Sequence, residues 1–184
     1  MDNRKLIIAN NFEQVFNELG YKKTTVERIA KNLSMSKKTI YKYFSSKDDA
    51  YKFLVKRYAE QEVCQLKKEL KYIKNELDQL SYINNKCFSK LCETVQNNET
   101  NFFSYFNTLT ISINAFQSAY KQLILSILES GTKKNLFQID DLNLYMSYIE
   151  LIIAKGIENL NCNSNKDIPK LTFNAIKKLI KYEE

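Results

Sequence analysis

A chain of 184 residues with three Gly and one Pro is poor in turn formers, which argues against a fold of many short strands and favours connected helices in one domain or two small ones. Its net charge of +7 sits in the first third: residues 1–58 carry 13 Lys/Arg against 6 Asp/Glu, whereas residues 59–184 carry 15 of each. Such a local excess is the footprint of a polyanionic partner (DNA, RNA or an anionic membrane) rather than a solubility device.

In chain order, Leu6, Ala9, Phe12, Val15, Phe16 and Leu19 recur at helical spacing from Arg4 to Leu19. Gly20 follows where a left-handed residue commonly ends a helix. Thr24-Thr-Val-Glu27 reads as a capping box opening a helix over Val26–Leu33, with Val26, Ile29, Ala30 and Leu33 on one face. Ser34-Met35 makes a short turn, Ser36 caps a helix over Lys37–Phe44, and Ser45-Ser46-Lys-Asp-Asp49 opens a fourth helix running to about Leu70. Further helices are predicted near 76–97, 100–111, 114–131, 141–161 and 169–182. The expected fold class is therefore all-α, with an N-terminal three-helix domain over 1–47 and a C-terminal helical bundle over 48–184, about nine helices in all.

The apolar run near the N-terminus is only four residues long, too short for a signal-peptide core, and no stretch approaches the roughly 20 apolar residues that span a bilayer. A cytoplasmic protein is expected. Cys64, Cys87, Cys92 and Cys162 show no CxxC spacing and the chain has no histidine, so neither a metal site nor a cofactor is expected and the thiols are read as free. Five residues on a helix point Cys87 and Cys92 to different sides, which weighs against a redox pair.

In Lys37–Phe44 the apolar Ile40 and Phe44 share one face, leaving Lys37, Lys38, Thr39 and Lys42 outward. A short helix, a tight turn and a second short helix presenting its N-terminal end form a helix-turn-helix, whose second helix fits the major groove of DNA. A membrane-surface helix would flank its lysines with apolar residues on one exposed face. Here the apolar residues lie opposite the lysines. A helical interaction protein docking its basic end on a membrane or protein partner is therefore the alternative, not the first reading. A third class, an enzyme, needs a nucleophile–base or acid pair that the sequence does not display.

These residues carry a resemblance. Thr25-Val-Glu-Arg-Ile-Ala-Lys-Asn-Leu-Ser-Met-Ser-Lys-Lys-Thr-Ile-Tyr-Lys-Tyr-Phe-Ser-Ser-Lys-Asp-Asp-Ala50 resembles the DNA-binding signature of the TetR family of transcriptional repressors. The match lies at Thr25, Ile29, Ala30, Ser36, Thr39, Tyr41, Phe44 and Lys47, with Phe12, Phe16 and Gly20 upstream. The sequence departs from the family where Leu33-Ser34-Met35 replaces Ala-Gly-Val, which asks Ser34 to take a left-handed backbone. It departs again at Tyr43, which replaces a frequent His.

The resemblance implies that Thr25, Tyr41 and Lys47 hold phosphates while Lys37, Lys38, Thr39 and Lys42 face the groove. With Thr24, Arg28 and Ser36 they make up the expected DNA-contacting set. It also implies a homodimer on double-stranded DNA, joined through the last two helices at Tyr145, Ile149, Ile152, Ile153, Ile157, Phe173, Ile176, Leu179 and Ile180. The aromatic residues Phe102, Tyr105, Phe106, Phe116, Tyr120 and Tyr148 could line a pocket for a small apolar or aromatic effector, although the same rings at helical spacing could equally pack a core. The function expected is that of a ligand-responsive repressor on a palindromic operator.

Overall fold

The computed structural model describes residues 2–96, 106–162 and 167–182. These form eight helices and, among the described residues, no strand: α1 (Asn3–Lys23), α2 (Val26–Asn32), α3 (Lys37–Tyr41), α4 (Lys47–Leu70), α5 (Glu76–Gln96), α6 (Phe106–Lys133), α7 (Leu142–Cys162) and α8 (Ile168–Leu179). The two helices expected over 100–111 and 114–131 are, in their described part, the single helix α6. No Gly or Pro lies between Phe106 and Ser130, so nothing in the backbone stops the helix near 112.

The chain divides into two compact units, Met1–Glu60 with Gln96–Phe116, and Gln61–Val95 with Gln117–Glu184. In the first, Ile8, Ala9, Phe12, Val15 and Phe16 of α1 meet Ile29 and Ala30 of α2, Ile40 of α3, and Tyr51, Leu54 and Val55 of α4. Phe12, Phe16, Phe44 and Tyr51 are fully buried, each ring stabilising the core by roughly 2–3 kcal/mol relative to exposure. Their rings meet edge-on or tilted, Phe12–Phe44 at 6.0 Å and Phe16–Tyr51 at 5.8 Å. At Gly20 the backbone leaves the helix with φ 76° and ψ 163°, a conformation that strains any residue with a Cβ.

The second unit is held by contacts distant in sequence. Glu76 is buried and accepts hydrogen bonds from Ser130 at 2.7 Å and from the Lys134 ammonium at 2.6 Å. Burial pushes the Glu76 carboxyl up, but these two donors outweigh it and hold it below the ordinary glutamate range. The α7 and α8 helices approach closely at Gly156, where an added Cβ would lie 2.5 Å from Thr172 Oγ1 and 2.8 Å from Phe88 Cζ. After α6 the chain turns through Asn135 at φ 58°. The Leu136 N–H bonds the Gly131 carbonyl at 2.8 Å and the Asn135 N–H bonds the Thr132 carbonyl at 3.0 Å, a Schellman motif with Asn in the left-handed position. The Gln138 N–H then donates to the Ile180 carbonyl at 3.0 Å, fixing that turn to the end of α8.

Candidate nucleic-acid interface

The turn between α2 and α3 is built by its own backbone. The Ser34 N–H donates to the Lys31 carbonyl at 3.2 Å and the Met35 N–H to the Ala30 carbonyl at 2.9 Å, again a Schellman pair. Ser34 occupies the left-handed position with φ 51°, as the missing glycine requires. Ser36 Oγ then accepts the Thr39 N–H at 3.1 Å and caps α3. With Ile40 and Phe44 buried against the core, Lys38 and Lys42 are left exposed and Tyr41 is 49% exposed. This is an electropositive, rigidly capped helix end with its apolar side fully used. A DNA backbone and groove edge meet both demands such an end makes, negative charge and hydrogen-bond acceptors.

The other expected contacts are placed differently. Thr24 is buried and its hydroxyl donates to the Gly20 carbonyl at 2.8 Å, so it closes the end of α1 and has no surface to offer DNA. The N-cap of α2 is instead Thr25, exposed, whose Oγ1 accepts the Arg28 N–H at 3.3 Å. The N-cap read at Thr24 is thus displaced by one residue to Thr25. The Glu27 carboxylate pairs with the Lys37 ammonium, across from α2 to α3. The hydrogen bond from Lys37 holds the Glu27 carboxyl below its usual range, and Glu27 raises Lys37 in return. Lys37 therefore reaches the interface with its charge already partly neutralised.

Lys47, expected on a phosphate, is turned inward. Its ammonium donates to the carbonyls of Tyr21 at 3.0 Å and Thr24 at 3.3 Å, and lies 4.4 Å from the centre of the Tyr21 ring. Partial burial lowers its pKa from the usual lysine value. It ties the start of α4 to the end of α1, beside a Tyr21 hydroxyl that donates to Asp48. Thr39 is half-buried with its hydroxyl 2.9 Å from Ser36 Oγ, and Arg28 is exposed on α2.

Among the residues expected at a dimer face, Ile149, Ile157, Ile176 and Ile180 are buried within the chain's own second unit. Tyr145, Ile152, Ile153, Phe173 and Leu179 are half-buried. The exposed apolar residues of these helices are others: Leu144, Tyr148 and Leu151 in one stripe of α7, and Leu171 on α8. Of the expected pocket residues, Phe102 and Tyr105 lie outside the described residues, as do the side chains of Phe106 and Phe116. Tyr120 is buried, and Tyr148 belongs to the exposed stripe of α7 rather than to an interior wall. A cavity does occur in the second unit, lined by Leu80, Ile83, Asn84, Cys87 and Phe88 of α5 with Ile124, Ile149, Ile153 and Ile176. Among the described residues no group of His, Cys, Asp or Glu is placed to hold a metal ion, and no helix is long and apolar enough to cross a membrane.

The fold and the capped basic helix define the class, a helix-turn-helix protein whose described residues form helices and no strand. Residues 13–51 match the profile of the bacterial regulatory proteins of the tetR family. Solved structures share the fold over nearly the whole chain. FadR from Bacillus subtilis, in complex with stearoyl-CoA, is 22% identical with a TM-score of 0.64, covering 97% of this chain and 99% of that one. RolR in complex with resorcinol is 13% identical with a TM-score of 0.76, covering 97% and 88%. A regulator from Saccharomonospora viridis in complex with choline is 15% identical with a TM-score of 0.57, covering all of both chains. A search of curated proteins finds no match. The N-terminal match is thus to the tetR family, and the fold over the whole chain is one shared with transcriptional regulators.

Proposed function

We propose that the chain is a ligand-responsive repressor that binds a palindromic operator as a homodimer in the cytoplasm and acts by binding rather than by catalysis. The observation that carries the reading is the capped end of α3, where Lys38, Tyr41 and Lys42 are exposed while Ile40 and Phe44 are buried. Residues 1–47 serve as the DNA-binding part and residues 48–184 as the sensing and dimerising part. Lys38 and Lys42 are the leading contacts, with Thr25, Arg28, Ser36, Thr39 and Tyr41 around them. Lys37 contributes less because Glu27 opposes it.

One such helix reads few base pairs, so two heads on half-sites about one helical turn (~34 Å) apart are the physical expectation. The exposed stripe of Leu144, Tyr148 and Leu151, with Leu171, supports pairing through α7 and α8. Effector binding is supported by the stearoyl-CoA, resorcinol and choline complexes of similarly folded proteins. Those three ligands differ so much in chemistry that the effector must be sought in this chain's own interior.

The test is selection from randomised duplex DNA, followed by the stoichiometry of the selected complex. A two-fold symmetric sequence bound by an even number of chains is expected. Enrichment of no sequence, or of an asymmetric one bound by a single chain, would contradict the proposal.

A further inference from the structure

The enclosed part of the cavity in the second unit measures about 20 Å³, room for one small polar group, and it is partly open to solvent. Its wall is Leu80, Ile83, Phe88 and four isoleucines, with Cys87 and one amide, Asn84. Leu80, Ile83, Asn84, Cys87 and Phe88 fall on a single stripe of α5, so the amide sits in the middle of an apolar face. Asn84 is 4% exposed. Its Nδ2 donates to the Pro169 carbonyl at 2.9 Å, which fixes the amide's orientation, because the flipped amide would set two acceptors against each other. Oδ1 is then buried with no hydrogen-bond partner among the described residues. A buried acceptor left unpaired costs free energy that a donor would recover.

What would supply that donor is narrowed by the walls. A buried water typically makes about three hydrogen bonds, and among the described residues this wall offers it only the Asn84 oxygen and the weakly polar Cys87 thiol. Among the described residues no Asp, Glu, Lys or Arg lines the cavity, so an ionised group would enter uncompensated. A carboxylate would in addition face the Asn84 oxygen. The occupant that satisfies both the largely hydrocarbon lining and the unpaired Asn84 acceptor is neutral, compact and mostly apolar, and carries one donor. Ile153 and Cys87 are the two lining residues that are only half-buried, so they are the part of the described wall nearest solvent.

We propose that this cavity is the inner end of a binding site for an uncharged small molecule with a hydrocarbon body and one hydroxyl or N–H donor, directed to Asn84 Oδ1. The proposal deepens the effector reading above and rests on it for its regulatory consequence. The site itself is tested separately.

Phenol, toluene and benzoate are titrated calorimetrically into the full chain, into Asn84→Leu and into Ile153→Trp. Saturable phenol binding to the wild type is expected, with benzoate much weaker. The ratio of phenol to toluene affinity should fall about tenfold in Asn84→Leu, which keeps the volume and removes the acceptor. Ile153→Trp enlarges a half-buried lining side chain, leaves the Asn84–Pro169 bond in place, and should abolish binding of both. It keeps the proposal testable even if Asn84→Leu fails to fold. Absence of saturable phenol binding, an unchanged ratio, benzoate binding as tightly as phenol, or unaltered binding in Ile153→Trp would each overturn the site. DNA affinity measured with and without phenol separates the two claims. Binding without DNA release supports the site and overturns its effector role. Release by another small molecule, with no phenol binding, overturns the site and leaves ligand-responsive repression standing.

Discussion

In the first 50 residues each helix is opened by a side chain within three residues of the amide it caps: Asp2 for α1, Thr25 for α2, Ser36 for α3 and Ser46 for α4. Local caps recur later, at Asn75 and Asp141. Yet the groups that fix the second unit reach much further along the chain. Glu76 bonds residues 54 and 58 positions away, and Asn84 bonds a carbonyl 85 positions away. The reading helix is thus specified by a short, self-contained stretch that tolerates the loss of a single cap. The second unit depends on long-range contacts that a single wrong side chain disturbs together.

Substitution at Gly156 should break that comparison most sharply. Gly156→Val places atoms where Thr172 and Phe88 already sit, and a loss of about 3 kcal/mol is expected in denaturant titration, in the upper range for overpacking. Next in size is an effect on function without one on stability. Lys38→Ala should weaken DNA binding by about 1–3 kcal/mol if the side chain reads a base, with the melting temperature unchanged. Lys37→Ala should weaken it less. Glu27→Gln should tighten binding at low salt, with the gain fading as salt rises.

Two changes of about 1 kcal/mol and opposite sign probe the local punctuation. Ser34→Gly relieves the left-handed strain at φ 51° and should raise stability. Ser36→Ala removes the α3 cap and should lower it. The smallest expected effect is on the acid limb of the stability profile. Because the Glu76 carboxyl is held below its ordinary range, its stabilisation is fully present above that range and disappears as pH falls through the lowered value. Glu76→Gln should flatten this part of the curve, measured by thermal melts across acidic pH.

The same contrast explains what was legible in the sequence. The helix-turn-helix was readable because its determinants (Gly20, Ser36, Ser46 and the apolar spacing of α1 and α2) act within a few residues of themselves. The inward turn of Lys47 was not, since the carbonyls it caps lie more than twenty residues earlier. Nor was the Glu27–Lys37 pair, which depends on how α2 and α3 are packed rather than on a helical spacing. Residue type alone could not separate the buried Ile149, Ile157, Ile176 and Ile180 from the exposed Leu144 and Leu151, because a core and an interface ask for the same side chains. Asn84 did leave a trace. An amide at the third position of the stripe Leu80, Ile83, Asn84, Cys87, Phe88 is the polar exception on an apolar face, and the interior of the second unit gives that exception its meaning.

The proposed function requires α3 to present its basic, capped end to DNA. The most direct measurement is fluorescence anisotropy on duplex DNA across a salt series, for the wild type, Lys38→Ala and Lys42→Ala. A linear fall of log affinity with log salt is predicted. Its slope should shrink by about 1 where the lysine removed contacts a phosphate, and affinity should drop in at least one of the variants. Binding that is absent even at low salt, or a slope and affinity identical in all three proteins, would contradict it.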